Sequence, residues 1–251
     1  MVDINNNSEV QAMTESCQIL CDTLNHIEKY VIPGESVLKL DSIAEDYILS
    51  KGGIPAFKGY NGYPSTLCIS IDDEVVHGIP QNIFLEEGQI VSIDCGVLKN
   101  NYYSDSARTF PVGKISDEKQ KLIEVTQRAL EIGIEKAIPG NKVFDISDSI
   151  QKFVESNGFS VVRELVGHGI GKQLHLEPQI PNFSVPKTFS LDTLLVEGMC
   201  LAIEPMVNLG KKDIYTLEDG WTIKTKDGSP SAHFEHSVLI TKFQPRILTK
   251  N

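Results

Sequence analysis

Four acidic residues occur in segments that are otherwise mostly apolar and that are expected to form strands of a buried sheet. Asp94 lies in IVSIDCGV, Glu204 in CLAIEPMV and Glu235 in AHFEHSVLI, and Asp105 follows Asp94 on the next segment. An ionised carboxylate is costly to bury unless a charged partner compensates for it. Arg108 is the only lysine or arginine within these segments, so ion pairs cannot compensate for all four acids. We therefore expect the acids to bind divalent cations.

His168 is the candidate nitrogen ligand of the same site. It lies in VGHGIGK, where the flanking Gly167, Gly169 and Gly171 let the backbone approach closely. Four carboxylates and one imidazole suit manganese, iron(II), cobalt or zinc, and do not suit copper(I). A single catalytic zinc usually has three protein ligands, so this set is too large for one ion. The alternative for any one acid is a solvated side chain or half of an ion pair. Their joint occurrence favours two divalent cations that share carboxylate ligands.

Strands that run back and forth are needed to bring these residues together. Segments rich in β-branched and apolar residues occur at 66–71, 89–98, 106–112, 199–207, 221–225 and 233–241. Residues 98–101 are predicted to form the turn of a hairpin between the segments that carry Asp94 and Asp105.

Two helix pairs, each divided by a Pro-Gly turn, are predicted to accompany the strands. The first helix is predicted to begin at Ser8, which forms a capping-box pattern with Gln11, and to end before Pro33-Gly34. Further helices are predicted at 37–51, at 116–138 and in a segment that ends near residue 158. Residues 28–53 resemble residues 135–159, which indicates a duplication. We expect one α+β domain over residues 1–251, with similar halves at roughly 8–112 and 116–243 and helices on one face of a mainly antiparallel sheet.

Composition narrows the possible classes of function. The chain has 251 residues and a net charge of −11, which argues against nucleic-acid binding because a basic patch is expected there. No apolar stretch is long enough to cross a membrane, and the first residues do not resemble a signal peptide. The five cysteines form no Cys-x-x-Cys pair, which favours a reducing cytoplasm over a disulfide framework.

The ordered set Asp94, Asp105, His168, Glu204 and Glu235 resembles the five metal ligands of the pita-bread metallopeptidases. The neighbouring blocks are similar to the type I methionine aminopeptidases in their short, bacterial-type form: GYNGYPSTLCIS at 59–70, HGIP at 77–80, GHGIG at 167–171, IEPMVN at 203–208 and DGWTIKTKDGSPSAHFEH at 219–236. The resemblance spans nearly the whole chain. It implies the pita-bread fold, with two pseudo-twofold related helix pairs, and removal of methionine from nascent proteins whose second residue is small.

The resemblance also implies roles for the site residues. Asp94 would hold one cation, His168 and Glu204 the other, and Asp105 and Glu235 would bridge the two. Glu204 would also shuttle a proton from water to the leaving amine. His175 resembles the histidine that stabilises the carbonyl oxyanion, and His77 the one that contacts the scissile amide nitrogen. An isolated histidine is more often structural, and His26, His233 and His236 are assigned no catalytic role.

A pocket for an unbranched side chain is implied by the same resemblance. Its walls would include Tyr60, Tyr63, Cys68 and Trp221, together with His77 and His175. The alternative is an aromatic core cluster, which has the same composition. The chain departs from its bacterial relatives at Phe57, Ser104, Leu174 and Leu176, where Cys, Gly, Phe and Glu are common. These departures predict a changed pocket shape with the metal ligands retained.

Two other functions remain open from the sequence. A proline-specific aminopeptidase or dipeptidase shares the ligand set, but those enzymes usually carry a separate N-terminal domain and lack the DGW block. A binding protein on the same fold would have lost ligands, and all five are present here. The partners expected for the favoured function are nascent polypeptide N-termini and, transiently, the ribosome. We expect a cytoplasmic monomer without nucleic-acid specificity or membrane attachment.

Overall fold

The computed structural model of the protein describes residues 4, 6–184 and 192–250, and it shows an α+β fold. Four α-helices are present in this part of the chain: α1 (Asn7–Glu28), α2 (Val37–Ser50), α3 (Asp117–Glu135) and α4 (Val143–Ser156). The strands are β1 (Ile54–Pro55), β2 (Leu67–Ile71), β3 (Glu74–Val76), β4 (Ile90–Lys99), β5 (Tyr102–Pro111), β6 (Ser160–Val161), β7 (Val166–Gly169), β8 (Leu176–Pro181), β9 (Cys200–Ile203), β10 (Met206–Asn208), β11 (Ile214–Thr216), β12 (Ile223–Thr225), β13 (Ser231–His233), β14 (His236–Ile240) and β15 (Pro245–Ile247). None of the helices is long and apolar enough to cross a membrane.

The N-cap of α3 is the residue predicted from the sequence, whereas the N-cap of α1 is not. Ser116 is the N-cap of α3, as predicted, and its hydroxyl accepts from the backbone N–H of Lys119. The prediction that Ser8 begins α1 is wrong. Asn6 is the cap, because its side-chain oxygen accepts from the backbone N–H of Glu9 at 2.9 Å. Asparagine and serine satisfy the free N–H groups of a first turn equally well, so the pattern alone cannot choose between them.

The hairpin β4–β5 is confirmed, with Lys99 opposite Tyr102. Asn100 and Asn101 form the two-residue turn, and both have positive φ, 51° and 64°. Such a turn requires positive φ at both central positions, and asparagine tolerates it better than other residues with a side chain. The other edge of β4 pairs with β2 and then with β1, so β4 lies in the middle of a four-stranded antiparallel sheet.

Two long strands predicted in the second half are each divided in the structure. The segment 199–207 forms β9 and β10, which are separated at Glu204-Pro205, and the segment 233–241 forms β13 and β14, separated at Phe234-Glu235. The parts before and after each break belong to different sheets. β9 and β14 pair within the five-stranded sheet β15-β14-β9-β7-β8, whereas β10 and β13 pair within the sheet β13-β10-β6. Both acids therefore lie where the chain passes from one sheet to the other.

Each helix pair covers its own apolar core. α1 and α2 pack on β2 and β4, while α3 and α4 pack on a cluster that includes Leu201, Ile203 and Val238. After each Pro-Gly turn the chain forms an equivalent bridge, Ser36 to Phe84 in one case and Lys142 to Leu194 in the other. These matching connections agree with a duplication. The division into halves at 8–112 and 116–243 stays a prediction, and residues 185–191 of the second half lie outside the described residues.

Candidate metal and substrate site

The register of the hairpin places Asp94 and Asp105 on one face. Asp94 lies opposite Ala107, and Asp105 lies opposite Gly96, so the two acids are diagonal neighbours across the strands. Directly opposed residues share a face, and diagonal neighbours are close enough for their side chains to meet. Because the intervening positions are alanine and glycine, no larger side chain separates the two carboxylates.

Serine hydroxyls join this hairpin to the segment that carries Glu235. The Ser237 hydroxyl accepts from the backbone N–H of Asp105 at 3.1 Å and donates to the carbonyl oxygen of Asp105 at 2.8 Å. The Ser106 hydroxyl donates to the carbonyl oxygen of Glu235 at 2.6 Å, and the Glu235 N–H donates to the carbonyl oxygen of Ala107. The backbones of Asp105 and Glu235 are thus fixed against each other even though 130 positions separate them.

His168 reaches the acids from β7, which lies between β8 and β9. Its Nε2 is 3.8 Å from Asp105 Oδ2 and 3.7 Å from Glu204 Oε1. A Cβ atom at Gly167 would collide with the carbonyl oxygen of Ala202 on β9, and one at Gly169 would collide with that of Glu177 on β8. The predicted close approach of the backbone at these two glycines is confirmed. Because β7 approaches β8 and β9 this closely, His168 lies buried beside Asp105 and Glu204.

Side chains that could hold metal ions form overlapping groups at this point. Three groups have ligand atoms within 4.8 Å of one another: Asp94 with Asp105 and Glu235, His168 with Glu204 and Glu235, and Asp105 with His168 and His175. Asp105 and Glu235 each occur with Asp94 and also with His168, so they connect the two ends of the cluster. All five residues chosen from the sequence are therefore brought together, and they are compatible with binding divalent cations.

Among the described residues, the carboxylates of the cluster do not form a network of ion pairs. Asp94 Oδ1, Asp105 Oδ1 and Glu235 Oε1 are buried without a hydrogen-bond partner. Within the described residues, no lysine or arginine forms an ion pair with any of the four acids. Arg108 points to α1 instead, where it donates to Asn25 Oδ1 at 2.7 Å and to Cys21 Sγ. Buried carboxylate oxygens without hydrogen-bond partners are suitable ligands for divalent cations.

Burial raises the pKa of every acid in the cluster, and neighbouring carboxylates add to the rise for Asp94, Asp105 and Glu235. Burial is the main cause for Asp94, whose pKa rises to about 7, and for Glu204, whose pKa rises to about 8. For Asp105 and Glu235, burial and then the neighbouring carboxylates raise the pKa well above its usual range. Burial lowers the pKa of His168 to about 3, so the imidazole is neutral and its lone pair is available to a metal.

We expect the metal-free protein to lose stability as the pH rises from about 6.5 to 8. The folded-state pKa values of Asp94 and Glu204 exceed their unfolded values, so in this window these acids keep protons that the unfolded chain has already lost, and this stabilisation disappears as the pH rises through 7 and 8. Below the window the buried His77 and His168 act in the opposite direction, because burial lowers their pKa values and they gain protons mainly in the unfolded chain. The melting temperature of chelator-treated protein should fall by roughly 5–10 °C across the window. Divalent cations should oppose this fall, because they replace the protons. A melting temperature independent of pH without metal would contradict the expectation.

A cavity of about 250 Å³ opens beside the carboxylates. Its apolar walls include Phe57, Tyr63, Cys68, Leu174 and Trp221, and its polar end includes the acids, His77, His168 and His175. The Trp221 ring meets Tyr63 edge-on at 5.1 Å and His77 edge-on at 6.5 Å. The residues predicted as pocket walls therefore surround one cavity, next to the predicted metal ligands.

His77 is held in this cavity by an unusual backbone. Its φ is +59°, a conformation that is uncommon for residues with a side chain. The following residue fixes it: the Gly78 N–H donates to Ser70 Oγ at 3.1 Å, and the Gly78 carbonyl accepts from the Tyr63 hydroxyl at 2.9 Å. A side chain at Gly78 would collide with the carbonyl oxygen of Ile69. Burial lowers the pKa of His77 to about 4, so the ring is neutral at pH 7.

The four departures from the family pattern lie in three different places. Phe57 and Leu174 line the cavity, and Phe57 packs over Gly96, where a Cβ atom would lie 2.5 Å from its ring. Leu176 lines a neighbouring groove, which shares Val166, His168 and His175 with the cavity. Ser104 faces α1, where its hydroxyl is 3.0 Å from that of Ser16. Only Phe57 and Leu174 therefore bear on the shape of the cavity itself.

His233 was not selected from the sequence, yet the structure places it in the site. It is 1% exposed, and its Nε2 lies 3.4 Å from Glu204 Oε2. Strand alternation was the available signal, because His233 precedes Glu235 by two positions and so shares its face. His236 turns to Thr249 instead, with its Nδ1 2.9 Å from Oγ1, and His26 stacks on Tyr47.

Comparisons with known proteins agree with this geometry. The profile of the family described as Metallopeptidase family M24 matches residues 11–242. The methionine aminopeptidase of Clostridium perfringens is 49% identical and is aligned over 99% of each chain. The crystal structure of a methionine aminopeptidase from Thermotoga maritima matches with a TM-score of 0.96, with 41% identity over the full length of both chains. A prolidase from Pyrococcus furiosus has a TM-score of 0.78 and 23% identity, and covers 99% of this chain but 65% of its own; this likeness concerns the fold alone.

Proposed function

The chain belongs to the methionine aminopeptidases of metallopeptidase family M24, and from this we propose that it removes the initial methionine from nascent polypeptides whose second residue is small. One observation supports this function above the others. Four carboxylates and an imidazole converge at the polar end of a cavity whose other walls are apolar. Such a cavity suits an unbranched apolar side chain with the peptide bond at the carboxylates.

We propose that two divalent cations bind at the carboxylates. Asp94 would hold the first, His168 and Glu204 the second, and Asp105 and Glu235 would contact both, in keeping with the overlapping groups of ligand atoms. Manganese, iron(II), cobalt and zinc all suit this ligand set. When bound, such ions make a shared water more acidic and polarise the carbonyl oxygen of the substrate.

The protein's own side chains supply proton transfer and orientation. Glu204 is proposed to accept a proton from the attacking water and to return it to the leaving amine. His175 is proposed to donate a hydrogen bond to the oxyanion that develops on the scissile carbonyl. His77 also lines this cavity and is proposed to contact the scissile amide nitrogen. Tyr60, Tyr63, Cys68 and Trp221 are proposed to hold the methionine side chain.

The cellular setting is also a proposal. Nascent chains are the expected substrates, met during transient association with the ribosome in the cytoplasm. We propose a monomer that does not bind nucleic acid specifically, which agrees with the net charge of −11.

The test is methionine release by metal-stripped protein titrated with manganese, iron(II), cobalt or zinc. Met-Gly, Met-Leu and Ala-Pro peptides separate the possibilities. Release from Met-Gly that rises with metal and saturates at two ions per chain would support the proposal. Cleavage before proline would indicate the proline-specific peptidases instead. Tight metal binding without turnover of any peptide would contradict an enzymatic role.

A further inference from the structure

Two adjacent imidazoles in the site have different partners at Nδ1. The rings of His168 and His175 lie edge to face, with their centroids 4.3 Å apart. His168 Nδ1 is 3.0 Å from the carbonyl oxygen of Gly169, whereas His175 Nδ1 is 2.8 Å from the hydroxyl oxygen of Tyr60. A neutral imidazole has one N–H donor and one acceptor nitrogen, so the Nδ1 partner decides what Nε2 can do.

The tautomer of His168 follows directly from its partner. A carbonyl oxygen only accepts, so His168 Nδ1 must carry the hydrogen and Nε2 must carry the lone pair. That lone pair faces Asp105 and Glu204, at 3.8 Å and 3.7 Å. Histidines that bind metals are usually oriented in this way, with the other ring nitrogen donating to a carbonyl or carboxylate.

The partner of His175 has the opposite character. A phenol hydroxyl is a good donor and a poor acceptor, whereas an unprotonated imidazole nitrogen is a good acceptor. The favoured pairing is therefore Tyr60 O–H donating to His175 Nδ1. This leaves the hydrogen of His175 on Nε2, which then has no lone pair for a metal.

The loop that carries Tyr60 is built to hold the hydroxyl in place. Gly59, Asn61 and Gly62 all have positive φ, at 88°, 49° and 87°. The Tyr60 N–H donates to the carbonyl oxygen of Phe57 at 2.9 Å, and the Tyr60 carbonyl accepts from the N–H of Tyr63 at 2.9 Å. Backbone hydrogen bonds on both sides thus fix the Tyr60 Cα in a tight turn, which limits the directions open to the side chain.

We propose that Tyr60 is a positioning residue that fixes His175 in the tautomer with hydrogen on Nε2, so that His175 donates to the substrate and does not bind metal. Without this constraint the assignment would be ambiguous, because His175 lies with Asp105 and His168 in one of the groups that could hold an ion. The tautomer follows from the chain itself, whereas the donation to a substrate carbonyl rests on the proposed function.

Nitrogen NMR of the full chain with ¹⁵N-labelled histidine tests the tautomer directly. Spectra of His168→Gln and His175→Gln assign the two rings. The metal-free wild type should show the hydrogen of His168 on Nδ1 and that of His175 on Nε2. Addition of zinc should change the Nε2 resonance of His168, while His175 should keep its Nε2 hydrogen. A hydrogen on Nδ1 of His175, or its loss from Nε2 on addition of zinc, would overturn the proposal.

Tyr60→Phe removes only the donor. The His175 resonances should then become those of two exchanging tautomers, and the His168 resonances should stay unchanged. With Met-Gly peptides, kcat should fall about tenfold, the value of roughly one net hydrogen bond, while KM changes by less than about twofold. Tyr63→Phe is the matched control for the spectrum, since its hydroxyl bonds to the carbonyls of Leu67 and Gly78 and not to a histidine.

The two ideas can fail separately. Wild-type protein that hydrolyses no peptide with any metal would contradict the proposed function, and the spectrum would still decide the tautomer. Wild-type activity with a Tyr60→Phe spectrum and kcat identical to those of the wild type would contradict the positioning role alone.

Discussion

Replacement of Glu204 by glutamine should lower kcat for Met-Gly hydrolysis by about 10³-fold or more. Glutamine keeps the size of the side chain and an oxygen that can face His168, but it cannot accept a proton from water and return it to the leaving amine. The structure also places Glu204 among the metal-compatible groups, 3.7 Å from His168 Nε2. Metal affinity should therefore weaken as well, so kcat must be measured at saturating metal.

Glu197→Gln is the matched control for this prediction. Glu197 is an exposed acid on the turn just before β9, so the variant makes the same change of charge seven residues from Glu204. We expect its kcat and metal affinity to equal those of the wild type. A Glu204→Gln variant that retains more than about a tenth of wild-type kcat with metal bound would show that another group moves the proton.

The site was predictable from sequence where local rules determine geometry. The β4–β5 hairpin follows from two β-rich segments joined by a short polar turn, and its register alone places Asp94 and Asp105 on one face. The glycines around His168 similarly mark places where strands approach closely. In the first case the geometry depends on neighbours within one hairpin, and in the second the glycines themselves mark the close approach, so periodicity and residue type were sufficient.

The interruptions at Glu204 and Glu235 were not predictable in the same way. Both segments are apolar enough to be predicted as continuous strands. The breaks arise because each segment passes from one sheet to another. Which sheets meet depends on contacts distant in sequence, such as Ser106 with Glu235 and Asp105 with Ser237. No local pattern carries this information, and the prediction of unbroken strands failed for that reason.

Hydrogen bonds between side chains distant in sequence were the hardest feature to predict. Tyr60 and His175 are 115 positions apart, and their hydrogen bond has no signal in the sequence, which predicts Tyr60 only as a pocket wall. Alternation in the predicted strand places His233 on the same face as Glu235, but this pattern alone does not distinguish a site histidine from a structural one. Hydrogen bonds between distant side chains depend on the packing of the completed fold, and this packing is what converts a list of residues into assigned roles.

The two neighbouring histidines should respond in opposite ways to removal. His168→Ala should lower metal affinity by more than about 100-fold, because the imidazole is a proposed ligand and its orientation by the Gly169 carbonyl is lost with it. Activity should fall with metal occupancy and return in part when excess metal is added. His175→Ala should leave metal affinity nearly unchanged and lower kcat by about 10²–10³-fold, the cost of one lost oxyanion donor.

Measuring metal content and kcat on the same preparations separates these roles. The rings are only 4.3 Å apart, so a general disturbance of the site would affect both quantities in both variants. The two effects separate if His168 binds metal through a lone pair on Nε2 and His175 donates a hydrogen bond from Nε2. The carbonyl beside His168 Nδ1 and the hydroxyl beside His175 Nδ1 favour these two different tautomers. Loss of metal from His175→Ala comparable to that from His168→Ala would make His175 a ligand, and the assignment of a donor role to its Nε2 would then be wrong.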